Sequence, residues 1–243
     1  MPMDPKSAID ILNEGYRICM DYGKINNQPF FCTCGVGFDA FVSLKFADSG
    51  KRGLLTYLEN TLHESLTYQP ETYEIENEEG TMKFKAFLIA CGNASQYGNN
   101  AYIAPHASLT DGLMDVTILE PFTVLDVPSL SFQLFNKTID QNSRIKTIRA
   151  KKIKIHRAID GVLHFDGDPL MAGKELEVEI IPKGLYVVAS EKKKEKTENE
   201  NLLQVISNYF SGLHLKGEEM LAKQQNQLFE LNRNLLRKLS KKQ

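Results

Sequence analysis

Residues 145–189 read IKTIRAKKIKIHRAIDGVLHFDGDPLMAGKELEVEIIPKGLYVVA, and this stretch decides the fold. Short apolar runs at 145–148, 153–156, 162–165, 176–181 and 185–189 are separated by turn residues at Gly161, Gly167, Gly173, Pro182 and Gly184. Runs of this length and spacing predict antiparallel strands in a sandwich or curled sheet, because no segment between them is long enough for a crossover helix.

Working outward, the same period continues upstream. Residues 72–76 and 82–91 alternate about Asn77-Glu78-Glu79-Gly80, which reads as a hairpin turn. Residues 115–119 form another strand, closed by Pro121, and residues 30–34 form one that turns through Gly35-Val36-Gly37 into a short helix at Phe38. Two glycines around one valine indicate backbone packed too closely for side chains. Helices are expected at the periphery. One opens on Asp4-Pro5, with Ala8, Ile9, Leu12, Tyr16 and Cys19 on one side and Gly23 placed to end it. Another covers 51–67, with leucines at positions 54, 55, 58, 62 and 66, and a third covers 124–135, near whose start Pro128 belongs. The expected fold is therefore mainly β, an antiparallel sandwich over residues 1–190 with peripheral helices.

The chain continues as a charged linker, 191–200, reading EKKKEKTENE, and a helical extension, 201–243. Leu202, Leu203, Ile206, Phe210 and Leu213 mark one amphipathic helix there, and Leu221, Leu228, Leu231, Leu235 and Leu239 a second. This pattern predicts helix-on-helix packing or a homodimer. Residues 191–243 hold 11 Lys and Arg against 7 Glu, a net of +4 in a chain of net −2, which leaves −6 on the rest. Peripheral contact with an anionic membrane face is the second expectation for that tail. The overall balance gives no footprint for nucleic acid. No apolar run approaches the roughly 20 residues of a membrane span, and residues 1–10, MPMDPKSAID, have no secretory pattern. A cytoplasmic location is expected. Cys19, Cys32, Cys34 and Cys91 lack the spacing of a zinc knuckle and are expected as reduced thiols.

Three polar constellations could carry chemistry. Thr110-Asp111-Gly112-Leu113 is an acid-and-glycine turn: either its own backbone explains the carboxylate, or that carboxylate and nearby carbonyls offer oxygens to a hard cation. Asp166-Gly167-Asp168 is a second such turn, either a plain hairpin or two acids suited to taking a proton from an alcohol. Asn93-Ala94-Ser95-Gln96-Tyr97-Gly98 follows a very apolar strand, where a polar loop is a site wall or a surface loop held by its own side chains. His156 and His164 read as strand residues; His106 follows Pro105 in a loop.

These pieces, in order over residues 2–189, resemble the C-terminal domain of the bacterial diacylglycerol-kinase and sphingosine-kinase-like lipid kinases. The resemblance rests on Pro2-Met3-Asp4, Gly35-Val36-Gly37-Phe38-Asp39-Ala40, Asn93-Ala94, Ala104-Pro105, Asp111-Gly112-Leu113-Met114-Asp115 and Phe165-Asp166-Gly167-Asp168. It implies transfer of the ATP γ-phosphoryl group to the hydroxyl of a neutral lipid such as diacylglycerol, within phospholipid metabolism. It also implies a cleft shared with an N-terminal nucleotide-binding domain whose glycine-rich motif this chain lacks, so that ATP would be held only by that missing domain and the chain alone would be inactive. By position, Asp168 is the residue that activates the lipid hydroxyl, where the family more often has Glu, and Asp166 supports it. Asn93, Ser95, Gln96 and Tyr97 bind substrate. Asp111 is the side-chain ligand of Mg²⁺, with the carbonyls of Ser108 and Leu113. From another class, a non-catalytic lipid-binding or regulatory module, or a structural partner assembling through the terminal helices, fits the same sequence.

Overall fold

The computed structural model of the protein describes residues 4–49, 68–98 and 100–190. The expected helix at 51–67, the linker 191–200 and the extension 201–243 lie outside the described residues.

Twelve strands form two six-stranded antiparallel sheets. The first sheet contains β1 (Arg17–Ile25), β2 (Gln28–Phe30), β4 (Glu71–Asn77), β5 (Gly80–Ala86), β9 (Lys152–Arg157) and β12 (Glu175–Val188), in the order β2-β1-β12-β9-β4-β5. The second contains β3 (Thr33–Gly37), β6 (Leu88–Gly92), β7 (Met114–Leu119), β8 (Ile145–Ala150), β10 (Gly161–Phe165) and β11 (Asp168–Ala172), in the order β11-β10-β3-β6-β7-β8. The mainly-β sandwich expected from the strand spacing is what the chain adopts.

The two sheets differ in what covers their outer faces. A core of inward side chains, including Phe30, Val36, Tyr73, Ile75, Ile89, Met114, Ile155 and Leu163, joins one sheet to the other. The outer face of the first sheet meets water, and β9 accordingly alternates, with Ile153 and Ile155 buried and Lys152 and Lys154 exposed. Ion pairs such as Lys83–Glu74 and Lys152–Glu177 lie on this sheet. In the second sheet every residue of β6 and β7 is buried. Here a second apolar cluster, with Phe38, Val42, Phe87, Leu130 and Phe135, brings α2 (Phe38–Ser49) and α3 (Val127–Phe135) against the sheet. Continuous apolar strands follow from coverage on both sides.

Several local expectations are corrected. α1 (Pro5–Glu14) starts on Asp4 as expected, with Oδ2 accepting the Ser7 N–H at 2.8 Å. It stops at Gly15, which takes φ 67, and Tyr16 to Gly23 leads into and forms β1 instead of about two further turns of helix. The expected strand 30–34 is two strands meeting at a corner at Phe31-Cys32. The expected strand 82–91 breaks at Phe87 and passes from the first sheet, as β5, to the second, as β6. Conversely, 176–181 and 185–189 belong to one strand. β12 runs through Pro182-Lys183-Gly184 because β1 carries an irregularity between Met20 and Tyr22, where Asp21 Oδ1 accepts the Lys183 N–H at 2.6 Å. Among the described residues no helix is long and apolar enough to cross a membrane.

Candidate functional site

The β10–β11 turn is held by one of its two acids. Asp166, at φ 48, accepts three backbone N–H groups of the β2–β3 corner: Phe31 at 2.7 Å and Cys32 at 2.7 Å and Thr33 at 3.1 Å. Its own N–H donates to the Thr33 carbonyl at 2.8 Å. A carboxylate with three N–H donors is a fastener, and of the three only the Thr33 donor is on a buried residue. Burial, and secondly the Asp166 charge, push the Cys32 thiol above its ordinary range. Asp168 is different. It is exposed at the start of β11, opposite Phe165, and its carboxylate has no hydrogen bond or ion pair with another described residue.

Asn93 grips the same corner from the far side. Its backbone N–H and that of Ala94 both reach the Cys32 carbonyl, at 3.0 Å and 2.9 Å. Its side-chain Nδ2 donates to the carbonyls of Asp21 at 3.0 Å and Phe31 at 2.8 Å. Asn93 is fully buried, with Oδ1 unpartnered among the described residues. The loop beyond it is self-braced: the Ser95 carbonyl accepts the Ala104 N–H at 3.1 Å, Gln96 Oε1 accepts the Asn100 N–H at 3.1 Å, and a bridge joins Gly98 to Ala101.

Sequence reasoning missed the buried centre between that loop and β10. Asp39, in the first turn of α2, caps Ala40 N–H with Oδ1 at 2.8 Å. Its Oδ2 accepts the Tyr97 hydroxyl at 3.0 Å and lies 3.0 Å from His164 Nε2. The His164 side chain is 3% exposed and that of Asp39 10%. An Nε2–H donated to Asp39 leaves His164 Nδ1 as a bare acceptor, and that atom is buried without a partner among the described residues. Gly35 makes room for this centre, since a Cβ there would meet Asp39 Oδ2 and the Ile89 carbonyl, each at 2.6 Å. In sequence Tyr97 and the Gly35-to-Ala40 motif stood out separately, and His164 read as a strand residue; nothing local joined the three. Three residues from three distant segments thus tie the polar loop (Tyr97), the α2 N-terminus (Asp39) and the acidic hairpin strand (His164) together.

The Asp111 turn lies where β7 begins. Oδ1 accepts the Leu113 N–H at 3.1 Å, a turn closed on itself, and Oδ2 lies 2.5 Å from Arg149 Nη2. Arg149 Nε also meets Asp115 Oδ1 at 2.8 Å, directly across the β7–β8 ladder. Gly112, at φ 72, donates its N–H to Asp21 Oδ2 at 2.7 Å. Among the described residues no group of three or more His, Cys, Asp or Glu could hold a metal. Mg²⁺ demands a near-octahedral oxygen shell, and here the one carboxylate of the Asp111, Ser108, Leu113 set has both oxygens engaged, one by a guanidinium. These residues, so arranged, do not fit Mg²⁺.

The remaining expected histidines take other places: His106 pairs with Asp140 at 3.2 Å on the surface, and His156 with Glu175 on the first sheet.

Comparison with known proteins follows the same lines. The family model described as "YegS C-terminal NAD kinase beta sandwich-like domain" matches residues 32–189. The chain is 27% identical over 181 residues to the "Lipid kinase YegS" of Escherichia coli (strain K12), covering 73% of this chain and 59% of that protein. It is 24% identical over 188 residues to the "Probable lipid kinase YegS-like" of Serratia proteamaculans (strain 568), covering 76% and 60%. The chain therefore spans about 60% of the length of these curated relatives. Among solved structures, a diacylglycerol kinase from Bacillus anthracis str. Sterne superposes with a TM-score of 0.58 at 15% identity, over 78% of this chain and 60% of that one. That last likeness is one of fold.

Proposed function

The chain belongs to the YegS C-terminal, NAD-kinase β-sandwich-like family, and on that premise we propose that it is the lipid-facing part of a lipid kinase. The reaction is transfer of the γ-phosphoryl group of ATP to the hydroxyl of a neutral lipid of the diacylglycerol type. The nucleotide is held by a separate domain, corresponding to the share of its relatives that this chain does not span. Mg²⁺ in this reading accompanies ATP on that domain, where it would offset phosphate charge.

The observation that carries the reading is the unequal use of the two acids in Asp166-Gly167-Asp168. Asp166 is fully occupied by the Phe31–Thr33 corner, and Asp168 stands exposed and unpaired among the described residues on the rigid hairpin it secures. Asp168 then takes the proton of the lipid hydroxyl as that oxygen attacks the γ-phosphorus, and ADP leaves with the bridging oxygen. Asp39, His164 and Tyr97 hold the loop bearing Ser95 and Gln96 against the hairpin, so that the lipid headgroup meets a fixed wall.

The test uses purified chain in mixed micelles of diacylglycerol and labelled ATP. Alone, it neither retains ATP nor forms phosphatidic acid; with the nucleotide-binding domain supplied, label enters the lipid. Turnover that tracks this chain alone through purification overturns the division between two domains, and no turnover with any neutral lipid in the completed enzyme overturns the lipid-kinase reading.

A further inference from the structure

The Asp111 turn is a point where four strands of both sheets are joined. Asp21 of β1, fully buried, takes the Gly112 N–H with one oxygen and the Lys183 N–H of β12 with the other. Its backbone N–H donates to the Leu109 carbonyl at 2.7 Å. Arg149 of β8 closes the opposite side, bridging Asp111 and Asp115 through Nη2 and Nε. Asp111 and Asp115 bring two carboxylates to the start of β7, one of them almost fully buried, and a cation beside them offsets that charge. We infer that Arg149 is that cation, a resident guanidinium that does the work of a divalent ion and excludes one from the turn.

The geometry explains why an arginine suffices. Asp115 and Arg149 sit opposite each other in the β7–β8 register, so the guanidinium begins beside one carboxylate and needs only its length to reach the second. Its planar fork offers separate N–H donors to the two acids at once, which the point charge of a lysine cannot do with the same direction. Asp115 is almost fully buried, so its charge would be costly without this partner. A dication brought to Asp111 Oδ2 would meet the guanidinium at close range and would have to displace it. It would also have to shed water for carboxylates whose oxygens already accept N–H donors.

The inference concerns the folded chain and does not depend on the proposed reaction. Thermal melting of the wild-type chain in EDTA and in about 5 mM Mg²⁺ or Ca²⁺ differs by less than about 1 °C, since a ligand that does not bind the folded state does not stabilise it. Mn²⁺ titration followed by electron paramagnetic resonance finds no ion at the turn. Arg149→Gln melts about 3–6 °C lower, and Mg²⁺ or Ca²⁺ restores at least half of that loss, an effect abolished by adding Asp111→Asn. If Arg149→Gln does not fold, Arg149→Lys serves instead; it keeps the charge, melts lower than wild type and stays indifferent to divalent ions. Mn²⁺ bound by wild type and lost in Asp111→Asn overturns the inference, whereas Mn²⁺ that survives Asp111→Asn lies elsewhere and upholds it. An Arg149→Gln chain that folds but ignores Mg²⁺ and Ca²⁺ overturns it, as does an Arg149→Lys chain stabilised by them.

Discussion

Asp111-Gly112 and Asp166-Gly167 are the same local device used to different ends. Both glycines take positive φ, 72 and 92, and both aspartates accept backbone N–H groups. At the first turn the partners are a guanidinium and the turn's own amide, so the carboxylate balances charge at the start of β7. At the second the partners are three amides of a corner more than 130 residues away in sequence, so the carboxylate positions the hairpin and leaves the next acid, Asp168, exposed. An acid-and-glycine pair announces a turn. What its carboxylate does is decided by the segment the fold lays beside it.

The comparison can be broken first at the buried centre that both the loop and the hairpin lean on. Asp39→Ala removes the acceptor shared by Tyr97 and His164 and leaves a buried imidazole N–H unpaired. Urea unfolding should show a loss of about 3 kcal/mol; a loss below about 1 kcal/mol would mean that the centre is relaxed and does not brace the site. Asp166→Ala comes next. Three donors lose their acceptor, but two of them are on exposed residues that water can reach, so the loss should be about 1–2 kcal/mol. Stability equal to wild type would reduce Asp166 to an ordinary turn residue.

The same variant offers a finer reading at Cys32. Removing the Asp166 charge lowers the elevated thiol pKa, and the corner it fastened loosens, so alkylation at neutral pH should quicken by about two- to five-fold. Unchanged labelling would show that burial alone sets the reactivity. Asp168→Asn should have the smallest effect on folding, within about 0.5 kcal/mol, because its carboxylate has no partner among the described residues to lose. A large destabilisation there would place Asp168 with Asp166 as a structural acid.

Much of the sandwich was legible. Asn77-Glu78-Glu79-Gly80 is the hairpin turn, with Asn77 opposite Gly80 and Asn77 Oδ1 accepting the Glu79 N–H at 3.0 Å, a use of asparagine that sequence announces. What failed were boundaries set by partners far away. Phe87 carries no glycine or proline to mark the passage from one sheet to the other; it is fixed by hydrogen bonds to Phe38 and Leu119 and by ring contacts such as that with Phe38 at 4.5 Å. Tyr16 and Cys19 continue the apolar period of α1, and only Gly15 argues otherwise. β11, reading DPLMA, is too short and too mixed to stand out. The site was legible as motifs and not as a constellation. Asp39 and His164 are 125 residues apart, and nothing local tells a histidine in a strand that an aspartate will face it. Asn93 was expected to bind substrate, and nothing in its sequence neighbourhood showed that its Nδ2 would donate to the carbonyls of Asp21 and Phe31.

The central claim is that Asp168 works on the lipid hydroxyl from a hairpin that Asp166 holds in place. It is tested most directly by the turnover number of the completed two-domain enzyme with diacylglycerol, measured for wild type, Asp168→Asn and Asp168→Glu alongside their urea unfolding curves. The account predicts a fall of about 10²-fold or more for Asp168→Asn with folding unchanged, and retained activity for Asp168→Glu. Wild-type turnover in a well-folded Asp168→Asn enzyme would contradict it.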